Sequence, residues 1–326
     1  MTAALSALAR SILSGDRRSL ARAITLVESS RVEDAPAALT LLRELLPLAP
    51  RGLRLGVSGP PGVGKSSLLE RLGMHLVALG KRPAVLVVDP TSQRGGGSLL
   101  GDKTRMVELG RQSAAYIRPS PSGAENGGIA RATGDVLLLC EAAGFGPVLV
   151  ETVGVGQAES AVTSVVDLLL LLLEPGAGDE LSGLKRGLQE WGDVLAVNKA
   201  DGVRVELAQR TRSEFEAALS TRRRTDEPTP PVVVVSALEN LGIEALWQSI
   251  ERRFAELEAS GQLEERRRAR RRSEFQRRLH AELWRGLLRD PERARALTEL
   301  EGRVMGGEVL AGDAVTQLIT KLFPEG

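Results

Sequence analysis

The 326-residue sequence is poor in several things from which proteins commonly build sites. It holds one cysteine, Cys140, which excludes an intramolecular disulfide framework and any multi-cysteine zinc site. Two histidines, His75 and His280, are too few for a histidine-based metal centre. Such a chain reads as a reduced, cytoplasmic-type protein. Phe, Trp and Tyr together make 3%, so the core is aliphatic, built on Leu, Val and Ala. No apolar run approaches the roughly 18 residues of a membrane helix. The most conspicuous, Leu168–Leu173, lies between Asp167 and Glu174. The acid-free start of the chain reads as an amphipathic helix rather than a transit peptide. Charge of one sign is not in excess either. The 43 basic and 42 acidic residues leave +1, which argues against a strongly basic nucleic-acid binder and an acidic disordered chain. Lysine is scarce too: among the basic residues it stands only at 65, 81, 103, 185, 199 and 321. Each therefore raises the question of why it is not Arg.

What is present is a 42% hydrophobic fraction, enough for a sizeable core. Residues 1–50 form a helical segment, with apolar residues at helical spacing in Ala4–Leu26 and Ala37–Leu46. From residue 53 the texture changes. Short apolar runs, each ending in a Gly-, Asp- or Asn-bearing loop, occupy Leu53–Ser58, Ala84–Asp89, Pro147–Glu151, Leu168–Leu173, Val194–Asn198 and Val232–Ser236. Amphipathic stretches separate most of them. Continuous apolar strands alternating with helices predict a doubly wound, mostly parallel α/β sheet over residues 51–250, with helical N- and C-terminal extensions. The tail, 251–326, is helical again and carries the run Arg266–Arg272.

In such folds ligands bind beyond the carboxyl ends of the strands, where the informative loops sit. Gly59-Pro-Pro-Gly-Val-Gly-Lys65-Ser66 fits G-x-x-x-x-G-K-[ST], after a strand and before a helix. Gly59, Pro60, Pro61, Gly62, Val63, Gly64, Lys65, Ser66 and Ser67 are thus the candidate phosphate cradle. The glycines let backbone N–H groups turn toward phosphate oxygens, and the helix N-terminus favours negative charge. Lys65 supplies a compact charge to the β- and γ-phosphates, which Arg's planar fork fits poorly. Ser66 can ligate Mg²⁺. Glu151, ending a strand, and Asp89, ending another, are further candidates for the magnesium shell, and Gly154 lets an N–H approach the γ-phosphate. Asn198-Lys199-Ala200-Asp201 follows a later strand. The Asp201 carboxylate can accept from the ring N–H and the exocyclic amine of guanine, a donor pair adenine lacks. Asn198 can brace the neighbouring loop and the Lys199 stem can lie over the base. Ser236, Ala237 and Leu238 can offer a backbone N–H to the guanine oxygen. Together these point to GTP and GDP rather than adenine nucleotides.

These segments, with Gly97–Met106, Tyr116–Pro121, Glu141–Phe145 and Pro175–Lys185, closely resemble the methylmalonyl-CoA mutase-associated GTPases, the MeaB family with its ArgK and MMAA-type relatives. The Gly-Asp-Lys-Thr-Arg-Met and Glu-Thr-Val-Gly-Val-Gly-Gln strings are more specific than a phosphate loop. The resemblance implies a GTPase that escorts a cobalamin-dependent acyl-CoA mutase, gating adenosylcobalamin loading and protecting the enzyme. It implies a homodimer joined through C-terminal helices. It adds Asp102 to Lys65, Ser66, Asp89 and Glu151 in the phosphate and magnesium shell, and places candidate switch residues at Gln157, Asp179, Glu180 and Lys185. The sequence departs from the family pattern at Ala124-Glu125-Asn126 and Gly134, which leaves open which acyl-CoA mutase is the partner.

No arginine finger is assignable, so turnover is expected to be slow alone and faster with the partner. One alternative is a P-loop kinase or ATPase accessory of amino-acid transport, the older label of ArgK relatives. Another is a metallochaperone GTPase, which would want a Cys/His cluster. Residues 264–278 hold eight Arg and three Glu, a net +5, and leave −4 on the remainder. Such a run usually forms a solvated helix face. Within Arg266–Arg272 no aromatics interleave as base-stacking platforms, so nucleic acid is not an expected partner.

Overall fold

The run Leu168–Leu173 forms a strand buried at all six positions, as a strand covered on both faces requires. The computed structural model describes residues 6–29, 31–89, 106–121, 128–152, 162–176, 192–221 and 229–322. Among these, seven strands form one sheet: β1 Arg54–Ser58, β2 Ala84–Asp89, β3 Tyr116–Pro121, β4 Val148–Thr152, β5 Leu168–Leu173, β6 Val194–Val197 and β7 Val232–Val234. The order is β3-β2-β4-β1-β5-β6-β7, and every pairing is parallel. From β1 the chain runs to β2 on one side; from β4 it crosses to β5 on the other. The carboxyl end of β1 is therefore the switch point of the sheet, where a crevice opens.

Side chains alternate between the two faces. Leu55, Val57, Leu168 and Leu170 pack with Leu68, Leu72 and Leu76 of helix α4 (Lys65–Ala78) and with Leu246, Trp247 and Ile250 of α8 (Ile243–Ala259). Val148, Val150 and Leu169 pack on the opposite face with α6 (Gly128–Ala142) and the N-terminal helices α1 (Ala7–Leu13), α2 (Arg17–Glu28) and α3 (Ala35–Leu45). The N-terminal periodicity breaks between α1 and α2, where Gly15 takes φ +81°. Asp16 then caps α2 by accepting from the Ser19 N–H at 2.9 Å. Among the described residues, α5 (Val107–Gly110) and α7 (Val205–Thr221) also pack on the sheet.

Residues Met1–Arg270 form one compact unit and Arg271–Gly326 another. The division falls inside a single long helix, α9 (Gln262–Arg289). The second unit also contains α10 (Pro291–Met305), capped by Asp290, and α11 (Ala311–Leu322). No helix among the described residues is long and apolar enough to cross a membrane.

The arginine run departs from the solvated face expected of it. Arg267 donates to both oxygens of Asp167, at 3.0 and 2.7 Å, and Arg270 also bonds that carboxylate. Arg266 reaches Asp193 at 2.7 Å. Asp167, whose side chain is fully buried, also accepts from the Arg54 N–H at 3.1 Å, and Arg54 in turn pairs with Glu141. Half of the run is thus tied to the amino ends of β1, β5 and β6. Burial alone would push the Asp167 carboxyl up. The bonds from Arg267 and the charge of Arg270 outweigh it and hold the group below the ordinary carboxylate range. A carboxyl held below its unfolded value of about 3.9 contributes stability above that pH and loses it as pH falls through the lowered folded value. Asp167→Asn is therefore expected to destabilise the protein by about 3 kcal/mol at neutral pH. Urea unfolding checks this, with the gap to wild type closing in acid; a gap independent of pH would contradict the ionic account.

Candidate nucleotide-binding site

β1 delivers the chain to Gly59, and the loop to Gly64 turns it directly into α4. Gly59, Gly62 and Gly64 hold φ of +150°, +82° and +95°, a region that side chains disfavour. Space is also closed to them at two positions. A Cβ on Gly59 would meet the Leu172 carbonyl oxygen at 2.7 Å, and one on Gly64 would meet Asn198 Nδ2 at 2.6 Å. Helix α4 starts at Lys65 itself, so its first N–H groups face the loop. Lys65 is buried, and its Nζ donates to the carbonyls of Gly59 at 2.7 Å and Pro60 at 3.1 Å. The Val63 side chain is buried in the core, whereas Pro61 and Ser67 are exposed.

Ser66 and Glu151 meet. The Ser66 hydroxyl donates to Glu151 Oε1 at 2.7 Å. Glu151 lies beside Val57 in the β1–β4 register, one strand from the loop. The β2 backbone ends at Asp89, level with the carboxyl end of β4, but its side chain lies outside the described structure. Asp102, Gly154, Gln157, Asp179, Glu180 and Lys185 also lie outside the described residues, as do Ala124–Asn126.

The second motif closes onto the first. Asn198, just past β6, donates from Nδ2 to the Val63 carbonyl at 2.8 Å and accepts from the Ala237 N–H at 3.2 Å. One buried amide therefore joins the phosphate loop to the loop after β7. Lys199 takes a left-handed φ of +61°, and its Nζ pairs with Glu174, at the end of β5, at 2.6 Å. Asp201 accepts from the Ser236 hydroxyl at 2.9 Å through Oδ2 and from Arg204 through Oδ1. The Arg204 bond, with help from Ser236, holds the Asp201 carboxyl below its ordinary range. Leu238 stands exposed beside this cluster.

The phosphate-loop and guanine-type motifs thus share one crevice at the carboxyl ends of β1, β4, β5, β6 and β7. The sequence profile of the methylmalonyl Co-A mutase-associated GTPase MeaB family matches residues 20–291. The chain belongs to the MeaB family of P-loop GTPases. A putative GTPase of Caulobacter vibrioides is 47% identical over 322 residues, covering 97% of each chain. GTPase ArgK of Escherichia coli is 45% identical over 257 residues, 78% of each. A crystal structure of a LAO/AO transport system kinase superposes with a TM-score of 0.76 at 34% identity, covering 98% of this chain and 99% of that one.

In this MeaB-family chain two site residues escape motif reading, Glu174 and Arg204. Glu174 ends the six-leucine strand and reads from the sequence as the start of a loop. Arg204 falls three residues after Asp201 in the turn Gly202–Arg204, a spacing that returns its side chain to Asp201. That spacing was the available signal for it. Two of the three backbone amides expected to face the base are already engaged: Ser236 N–H donates to Leu241 O at 3.0 Å, and Ala237 N–H to Asn198.

The crevice also suits a hard divalent cation. A hydroxyl and a carboxylate oxygen at 2.7 Å offer the oxygen donors that magnesium prefers.

Proposed function

We propose that this chain hydrolyses GTP slowly on its own and acts as a nucleotide-driven chaperone of a cobalamin-dependent acyl-CoA mutase, gating adenosylcobalamin loading and protecting the enzyme. The observation that carries the GTP reading is Asn198, which makes phosphate loop and guanine reader one connected site. The mutase reading rests on the family to which the chain belongs.

In this reading the loop amides of Gly59–Ser66 and the start of α4 hold the phosphates, and Lys65 leaves its carbonyl partners to meet the β- and γ-oxygens. Water attacks the γ-phosphorus in line as the bond from phosphorus to the β–γ bridging oxygen breaks. GDP leaves with that oxygen, and the water's proton passes to the phosphate or to solvent. The charge that develops on the phosphoryl oxygens falls against Lys65 and the amides. Ser66 and Glu151, with Asp89 and Asp102, would hold Mg²⁺, which when bound neutralises phosphate charge. Asp201 reads the guanine N–H groups, Lys199 lies along the base, and Leu238 has the remaining backbone N–H of its trio for the guanine oxygen. Dimerisation through the C-terminal helices is supported by apolar side chains left exposed on α9: Phe275, Leu279, Leu283 and Trp284.

The test is a pull-down of a purified cobalamin-dependent acyl-CoA mutase by this protein loaded with GDP or with a non-hydrolysable GTP analogue, paired with phosphate release. Nucleotide-dependent retention and a GTPase rate raised by the mutase are expected. Equal failure to bind in both states, with GTP still hydrolysed, would remove the chaperone role and leave the GTPase. The transport-accessory alternative instead expects ATP to compete with GTP for the site.

A further inference from the structure

Both charged residues of the guanine motif already carry partners in the nucleotide-free protein, but the two pairs differ in what they block. Lys199 meets Glu174 through the tip of a long side chain, not on the Asp201 oxygens. Arg204 sits on that carboxylate itself. Guanine presents its ring N–H and its amine side by side, so it needs both Asp201 oxygens from one direction. Ser236 bonds Oδ2 from a fully buried position, and that oxygen keeps a second lone pair for guanine. Arg204 takes Oδ1, leaving the Asp201 side chain 10% exposed, while Arg204 is itself 45% exposed. The turn Gly202–Arg204 fixes this approach, with Gly202 at φ +53° and the Arg204 N–H bonded to the Asp201 carbonyl at 3.0 Å. Arg204 is the half-exposed member of the pair and can swing into water, whereas Asp201 and Ser236 are buried and stay in place.

We propose that Arg204 is a gate on the base site: it occupies the Asp201 carboxylate when no nucleotide is bound and must yield Oδ1 to guanine. The gate stabilises the nucleotide-free state, so it lowers guanine affinity. This rests on Asp201 as the guanine reader. Only the fraction of molecules with Arg204 displaced binds, and the apparent Kd is raised by the reciprocal of that fraction.

The experiment measures the Kd of a fluorescent GDP analogue for the full-length protein, with unlabelled ADP as competitor. Arg204→Ala is expected to bind GDP about two- to fivefold more tightly than wild type. Arg204→Lys, which keeps a charge on a flexible stem, is expected to fall between them. The gap between wild type and Arg204→Ala is expected to shrink at high salt, which screens the solvent-facing Arg204 charge. Unchanged or weaker GDP binding by Arg204→Ala overturns the gate and makes Arg204 a brace for the turn. Asp201→Ala separates this from failure of the underlying reading: if that variant still prefers GDP over ADP as wild type does, Asp201 does not read guanine and the gate falls with it.

Discussion

Lys65→Ala is expected to abolish GTP hydrolysis, lowering the single-turnover rate by at least about 10²–10³-fold. Its Nζ is the one charge within reach of the loop carbonyls of both Gly59 and Pro60 among the described contacts, and the start of α4 fixes its backbone. The developing phosphoryl charge has no other protein cation assigned to it, so removal is uncompensated. Lys65→Arg is expected to fail almost as badly. The residue is buried beneath a loop whose glycines leave no room even for a Cβ at Gly59 and Gly64, and a planar guanidinium is broader than an ammonium. Phosphate release under single-turnover conditions, with GTP saturating, checks both variants. Hydrolysis within tenfold of wild type in Lys65→Ala would contradict the assignment. Lys65→Met, which keeps the stem's packing while removing the charge, guards against a collapsed loop.

The sheet was legible because a strand buried on both faces writes itself as an uninterrupted apolar run. Leu168–Leu173 and Ala84–Asp89 match their strands residue for residue, and the other expected runs overlap theirs. β3 was not legible. Tyr116–Pro121 carries Arg118, Pro119 and Pro121, which argue against a central strand. It is an edge strand, paired with β2 alone, and prolines that cannot donate to a ladder are tolerated there. Strand order was equally hidden, since placing β4 between β1 and β2 depends on packing between distant segments.

The arginine run shows the same limit. On one strand of text, Arg266–Arg272 is a block of like charge. Its neutralising partners, Asp167 and Asp193, lie 100 and 73 residues away from Arg267 and Arg266. Each acid sits just before a strand, where the sequence suggests only a boundary. The nucleotide motifs are visible in the sequence because their pattern is local: fixed spacings place glycine, lysine and serine on one turn. The links between them, Asn198 to Val63 and Ser236 to Asp201, join segments brought together only by the sheet.

The second large expected effect is a change of base. Guanine offers Asp201 two donors, the ring N–H and the exocyclic amine. Xanthine keeps the ring N–H but replaces the amine with a carbonyl oxygen. An asparagine at 201 offers one acceptor and one donor, which matches xanthine and leaves one of guanine's two donors facing an N–H. The geometry favours one orientation of that amide. Ser236 donates from a buried hydroxyl to Oδ2, so oxygen must stay there and nitrogen must replace Oδ1. That nitrogen cannot accept from Arg204, so the Arg204 contact is lost in the variant. Asp201→Asn is therefore expected to weaken GTP binding about a hundredfold and to bind xanthosine triphosphate in its place. Hydrolysis of the bound xanthosine nucleotide should proceed near the wild-type GTP rate, because Lys65, Ser66 and the phosphate loop are untouched. Steady-state phosphate release with both nucleotides separates KM, which should exchange between them, from kcat, which should not. If ATP were the substrate, as in a transport accessory, the substitution would produce no such exchange. A variant that lost GTP without gaining xanthosine triphosphate would reduce Asp201 to a structural acceptor for Ser236.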